Sequence, residues 1–161
     1  MESILRLIKI GMMASIALFF SVIAFNNIVD PHSGFPPVQE VLSMETTWRS
    51  PAVMGRAITN PLIQKAAYNA IIFCQLVTAL LCWIGCLMLL RNLKATPGHF
   101  HASKAIAFIG LFLGFMLYMV GFIIVGSEWF CMWQSPNNAQ TTSGLFISFI
   151  MFTMIFLQLS E

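Results

Sequence analysis

The stretch AAYNAIIFCQLVTALLCWIGCLMLL, residues 66–90, decides the fold. It carries no charged side chain from end to end. An α-helix rises about 1.5 Å per residue, so roughly 20 such residues cross the ~30 Å hydrocarbon layer of a bilayer. Two further apolar runs, at 7–25 and 105–125, follow the same logic, and a shorter one at 144–157 is expected to extend over 141–159, their interiors free of charge once Lys9, at the edge of the first, is set aside. The whole chain agrees: of its 161 residues, 58% are hydrophobic and only 9% charged. A soluble domain carries about a quarter charged residues, and too little polar surface remains here to coat one. The expected fold is all-α: a four-helix transmembrane bundle, one integral membrane domain over 1–161, with helices near 5–27, 66–91, 104–127 and 142–159.

Charge sets the expected orientation. Arg6 and Lys9 stand at the start of the first helix, and Arg91, Lys94 and Lys104 lie between the second and third. The connection 28–65 carries Arg49, Arg56 and Lys65 among the acids Asp30, Glu40 and Glu45. Positively charged loops stay in the cytoplasm. Both termini are therefore expected inside, with 28–65 forming a lid-like outer segment. The basic start and small residues near Ala24 also resemble a secretory signal. The apolar run is longer than a signal core, so it is expected to remain as a helix. The net charge of +2 is too small to suggest a nucleic-acid partner.

Within the outer segment, Asp30–Gly34 and Pro36–Pro37 read as turns. PVQEVLSM (37–44) then offers a short amphipathic turn for the membrane surface. Ser50 and Pro51 have the N-cap and first-turn chemistry of another short helix. Small residues predict how the long helices meet, because packing in lipid depends on close approach. Ala14, Ala17, Ser21 and Ala24 form one stripe, Gln75, Thr78, Cys82 and Gly85 a second, and Gly110, Gly114 and Gly121 a third. The fourth helix is bulky instead, and Phe149, Phe152 and Phe156 form a ridge facing lipid or another protein subunit.

Chemistry-bearing side chains are few. Cys82 and Cys86 share a helix face without a histidine or acid beside them, so no metal site is expected. His32, His99 and His101 all fall in loops, which leaves a haem no axial ligand at membrane depth, and no cofactor is expected. Gln75 is the most polar group deep in the second helix. It reads first as an interhelical hydrogen bond and second, with Tyr118 and Glu128, as the lining of a site for a quinone, lipid or neutral solute. Trp48, Trp129 and Trp133 fit an interfacial aromatic belt. Glu128 either faces water in that belt or pairs with Arg49 or Arg56 and pins the outer segment to the bundle.

The pieces IALFFSVIAFNNIVD, VLSMETTW, RAITNP, AAYNAII, TALLC and VGSEWFCMWQS, in this order along nearly the full chain, resemble a bacterial family of predicted small integral membrane proteins, a domain of unknown function. The resemblance implies four helices in a bacterial inner membrane and brings no activity or site residue. The reading is a non-catalytic accessory or assembly subunit that packs against a larger membrane complex, respiratory or secretory, among membrane lipids. The alternative is a binder or carrier of a lipid, quinone or other apolar molecule. An enzyme is the weakest option, since acid–base chemistry needs a positioned titratable group and Glu128 is the sole outer-face candidate.

Overall fold

A computed structural model describes residues 2–160. The chain forms α1 (Glu2–Val29), α2 (Pro31–Ser43), α3 (Pro51–Met54), α4 (Pro61–Arg91), α5 (Pro97–Ala102), α6 (Ala105–Met116) and α7 (Gln140–Gln158). α6 runs on without a break as a π-helix over Leu117–Trp129, and a 3₁₀ turn follows at Met132–Gln134. Four helical spans are long and apolar enough to cross a membrane: Glu2–Val29, Pro61–Arg91, Pro97–Trp129 and Gln140–Gln158. Arg6 bonds to Leu93 and Ala95, and Lys9 to the Leu159 carbonyl, so both ends of the chain and the 92–104 connection gather at one end. We term this end proximal, and the opposite one, carrying 30–60 and 130–139, distal.

The helices are longer than the apolar runs because capping chemistry extends them. Asn60 accepts a hydrogen bond from the Leu62 amide at 2.9 Å, and Pro61 fills the first position, where its missing N–H costs nothing. α4 thus starts five residues before the predicted 66. The expected turns at Asp30–Gly34 and Pro36–Pro37 are instead helix. Asp30 caps α2 through the Ser33 amide at 3.2 Å, Pro31 opens it, and the chain stays helical through Pro36 and Pro37. Those two prolines leave the carbonyls four residues earlier without intrahelical donors. Ser50 and Pro51 do begin the short helix α3, although the Ser50 side chain makes no cap bond.

α4 is the centre of the bundle, packed against α1 on one side and α6 on the other, while α7 rests on the π-helical segment, α6 and α1. The small-residue stripes make these approaches. A Cβ on Gly85 would stand 2.6 Å from the Ala107 Cα, and one on Gly110 3.0 Å from the Cys82 amide nitrogen. Gly114 leaves room for the Phe20 ring beside Thr78. Ala17, Ala24, Thr78 and Cys82 are all buried. Gly121 departs from the expectation: it is exposed and meets no other helix. A second, smaller core at the distal end joins Met44, Phe130 and Cys131 to Val41, Leu42, Val53, Met54, Ala57 and Ile58. Met44 ends α2 in the left-handed conformation usually given to glycine (φ 56°).

Candidate functional site

The distal half of the bundle holds a half-open apolar groove of about 300 Å³. One wall is α2, through Pro37, Val38, Val41 and Leu42, and the floor is Ala67, Ala70 and Ile71 of α4. The opposite wall is the π-helical segment, through Gly121, Phe122, Val125 and Gly126, continued by Phe130, Met132, Asn137 and Ala139. Sequence dictates this hollow. Alanines replace bulky side chains along the floor, and Gly121 and Gly126 bare the wall. In a π-helix the hydrogen bonds run five residues back, and a Cβ on Gly126 would stand 3.3 Å from the Gly121 carbonyl oxygen. A side chain at Gly121 would meet only the Leu117 Cδ1, at 3.8 Å.

The distal mouth is closed by polar bonds. Glu40, on α2, reaches across to the 130–139 connection. Its Oε1 accepts from Thr46 at 2.5 Å and Ser135 at 2.8 Å, and its Oε2 accepts from the Asn137 amide at 2.7 Å. These bonds, Thr46 foremost and then Asn137, hold the Glu40 carboxyl below the usual glutamate range. Ser135 also stands 2.7 Å from the Thr46 hydroxyl and receives the Asn137 backbone amide. Asn137 is at once a groove-lining residue and a partner of Glu40.

Residues 5–160, nearly the whole chain and all four candidate spans, match the family described as predicted small integral membrane protein (DUF2165). The chain belongs to that family. Neither a curated protein nor a solved structure matches it.

The predicted site residues of this DUF2165 protein do not converge on one place. Gln75 is buried and accepts a hydrogen bond from the Asn27 amide at 3.0 Å, while the Asn27 carbonyl accepts from the Tyr68 hydroxyl at 2.7 Å. Tyr118 is buried among Phe20, Phe122 and Phe146, with ring centroids 5.1–5.9 Å away. Neither residue lines the groove, and neither does Glu128. Glu128 is exposed, in keeping with the belt reading, and the alternative pairing with Arg49 or Arg56 is not formed. Among the described residues the ion pair within 4 Å joins Arg6 to Glu2 instead. Arg56 lies over the Trp129 ring, 4.4 Å from its centroid, and Arg49 donates to the Glu45 carbonyl at 3.1 Å. The physical reason is that Glu128 and Trp129 sit in the last turn of the π-helix, and it is the tryptophan that faces Arg56.

Trp48, Trp129 and Trp133 gather at the distal end. Trp48 is exposed and meets Trp133 edge to face at 5.1 Å, with its backbone amide bonded to Gln134. On α7, Phe149 and Phe152 are 56% and 65% exposed, but Phe156 is half-buried, so the outward face runs through Leu145, Phe149, Phe152 and Ile155. Phe149 and Phe152 border a second groove of about 350 Å³ between α1 and α7. Cys131 is buried in the distal core.

Sequence reasoning missed the proximal cluster altogether. Arg6 and Lys9, read from the sequence only as orientation charges at the start of the first helix, and Lys104, read as one between the second and third, are all buried, at 3%, 1% and 1% exposure. Arg6 donates to the carbonyls of Leu93 at 2.9 Å and Ala95 at 2.7 Å, and stacks 4.6 Å from the Phe100 centroid. Lys104 approaches the same ring at 5.5 Å. Lys9 donates to the Leu159 carbonyl at the C-terminal end of α7, where the helix dipole favours a cation. The lone aromatic in PGHFHA, between two basic stretches, is the signal that could have pointed here.

Proposed function

We propose that this protein is a non-catalytic membrane protein that holds one apolar chain, from a lipid, a quinone or a similar amphiphile, in the distal groove. The groove itself carries the reading. It has the size of the smallest small-molecule pockets, which span ~300–1,000 Å³, room for a single chain. Its walls come from three separate elements, and its lining is apolar apart from Asn137. A non-catalytic role is in keeping with the same lining, which among the described residues includes no titratable side chain for acid–base work. Arg6, Lys9, Arg91, Lys94 and Lys104 at the proximal end outweigh Arg49, Arg56 and Lys65 at the distal end. This supports a cytoplasmic proximal end in a bacterial inner membrane, with the groove opening at the outer leaflet.

Gly121→Leu tests the reading. The new side chain projects into open space, so it should fill the groove without disturbing the fold. Native mass spectrometry of the protein purified in mild detergent should show a retained lipid or quinone mass on the natural chain and none on the variant. Equal retention by both would sink the proposal.

The accessory-subunit reading is supported by a different surface. The groove between α1 and α7, lined by Phe149 and Phe152, offers apolar surface against which a further helix would pack. Its test is co-purification: Phe149→Ala with Phe152→Ala should release a stoichiometric membrane partner. Recovery of the natural chain without any partner would dismiss it.

A further inference from the structure

We infer that the groove selects amphiphiles whose headgroup donates a hydrogen bond, such as a hydroxyl, over those whose head only accepts. This rests on the groove reading above and concerns what sits at its mouth.

Among the described residues, Asn137 is the only groove-lining side chain that carries a polar N or O group, and an amide can present either a donor or an acceptor. Glu40 decides which. An ionised carboxylate only accepts, so the Asn137 NH₂ must face Glu40 Oε2, as it does at 2.7 Å. The Thr46 and Ser135 donors engage Glu40 Oε1 and fix the carboxylate in turn. The polar atom left to a ligand is therefore Asn137 Oδ1, to which no group donates among the described residues. The nearest charge to that atom in this network is the carboxylate of Glu40, negative as well. A hydroxyl head finds an acceptor here. An ester or quinone carbonyl would set one acceptor against another, and a carboxylate head would also meet like charge.

The same chemistry could be supplied by an acylglycerol or by the reduced form of a quinone. Both carry a long apolar chain and hydroxyl donors, whereas the oxidised quinone has acceptors alone. No redox step is implied, only recognition of the hydroxyl form.

Oleyl alcohol and methyl oleate share a chain and differ in whether the head can donate, which makes them the defining probes. Titrated against the full chain in detergent and read by native mass spectrometry, the alcohol should bind about threefold to tenfold more tightly, the range of one net hydrogen bond. The preference should fall to about one in Asn137→Leu. In Glu40→Gln it should vanish or invert, because a glutamine lets the Asn137 amide turn its NH₂ outward. Monooleoylglycerol and the decylubiquinol–decylubiquinone pair then separate the two sources. The source is the class whose hydroxyl form outcompetes oleyl alcohol.

A natural chain that binds alcohol and ester equally, or a preference that survives Asn137→Leu, overturns the inference and leaves the groove reading in place. Undiminished binding of both probes by Gly121→Leu overturns the groove reading itself.

Discussion

The guanidinium carbon of Arg56 lies 4.4 Å from the centroid of the Trp129 ring, and its Nη1 donates to the Trp129 carbonyl at 3.2 Å. This contact ties the segment before α4 to the end of the third span, a job that one of the two sequence readings gives to Glu128. An exposed cation–π contact contributes about 0.5–1 kcal/mol. Arg56→Ala should therefore lower the thermal midpoint in detergent slightly, and Glu128→Ala should leave it unchanged within about ±0.5 kcal/mol. A loss of ~3–5 kcal/mol on removing Glu128, the cost of breaking a buried ion pair, would contradict the geometry.

Gly85 admits no side chain. Its Cβ would fall 2.6–2.8 Å from three atoms of Ala107, two of them backbone, so α4 and α6 would have to separate. Overpacking of this kind costs about 1–3 kcal/mol, and Gly85→Ala should show it as a lowered unfolding midpoint. Gly11 is the control. Nothing stands within 4 Å of its Cβ position, and alanine is the better helix former by about 1 kcal/mol, so Gly11→Ala should be neutral or stabilising. Equal effects at the two glycines would mean that α4 and α6 do not meet as described.

Asn27 and Gln75 form a side-chain hydrogen bond between α1 and α4. Hydrogen bonds between membrane helices average ~0.6 kcal/mol and reach ~1.7 in double-mutant cycles. Asn27→Ala and Gln75→Leu should couple within that range when combined. Because neither residue lines the groove, Gln75→Leu should leave ligand retention intact. Lost retention on that change would return Gln75 to the ligand site.

Much of this architecture is legible in the sequence because lipid imposes simple demands. Uninterrupted apolar runs such as 66–90 announce spanning helices, and Gly85, Gly110 and Gly114 announce where they touch. The site is less legible for three physical reasons. The groove depends on the π-helical course of 117–129, and the run LYMVGFIIVGSEW has no periodicity that separates π from α. Pro36 and Pro37 read as turn residues, so a helical α2 wall is not expected. The Glu40 network joins residues about 95 apart in sequence, which no local pattern encodes. The proximal cations fail for a related reason: a charge near a helix end reads as solvated unless the fold brings carbonyls and a ring to meet it.

Glu40 makes the distal mouth sensitive to acid. Its carboxyl titrates below the ordinary value of 4.5 because the folded state donates hydrogen bonds to the charged form. A depressed folded value means the stabilisation is fully present above the unfolded value and disappears as pH falls through the lower, folded one. The contact between α2 and the 130–139 connection should therefore hold at neutral pH and weaken below about pH 4.5. Trp48 and Trp133, which meet edge to face beside this contact, give a fluorescence signal to follow it. The transition should be absent in Glu40→Gln, and one that persists there must belong to another group.

Arg6 holds the proximal end together, and its removal should be felt in the 92–104 connection more than in the bundle. The guanidinium is buried, bonds the carbonyls of Leu93 and Ala95 and lies against Phe100, and its planar fork reaches two acceptors at once. Methionine at this position would keep the apolar volume beside Phe100 but leave both carbonyls without their donor. Each lost partner costs about 1–3 kcal/mol where the carbonyl stays buried, less where water can replace it. Both residues are half-buried, so the connection should loosen locally while α1 and α4 stay packed. Trypsin reads this directly, because Lys94 is exposed between the two anchored carbonyls. Arg6→Met should speed cleavage after Lys94 by about tenfold or more, as expected for local opening made easier by ~1.4 kcal/mol. Arg6→Lys, which keeps the charge but not the fork, should fall between. Identical cleavage of all three chains would show that the connection is held by Phe100 and its apolar neighbours alone.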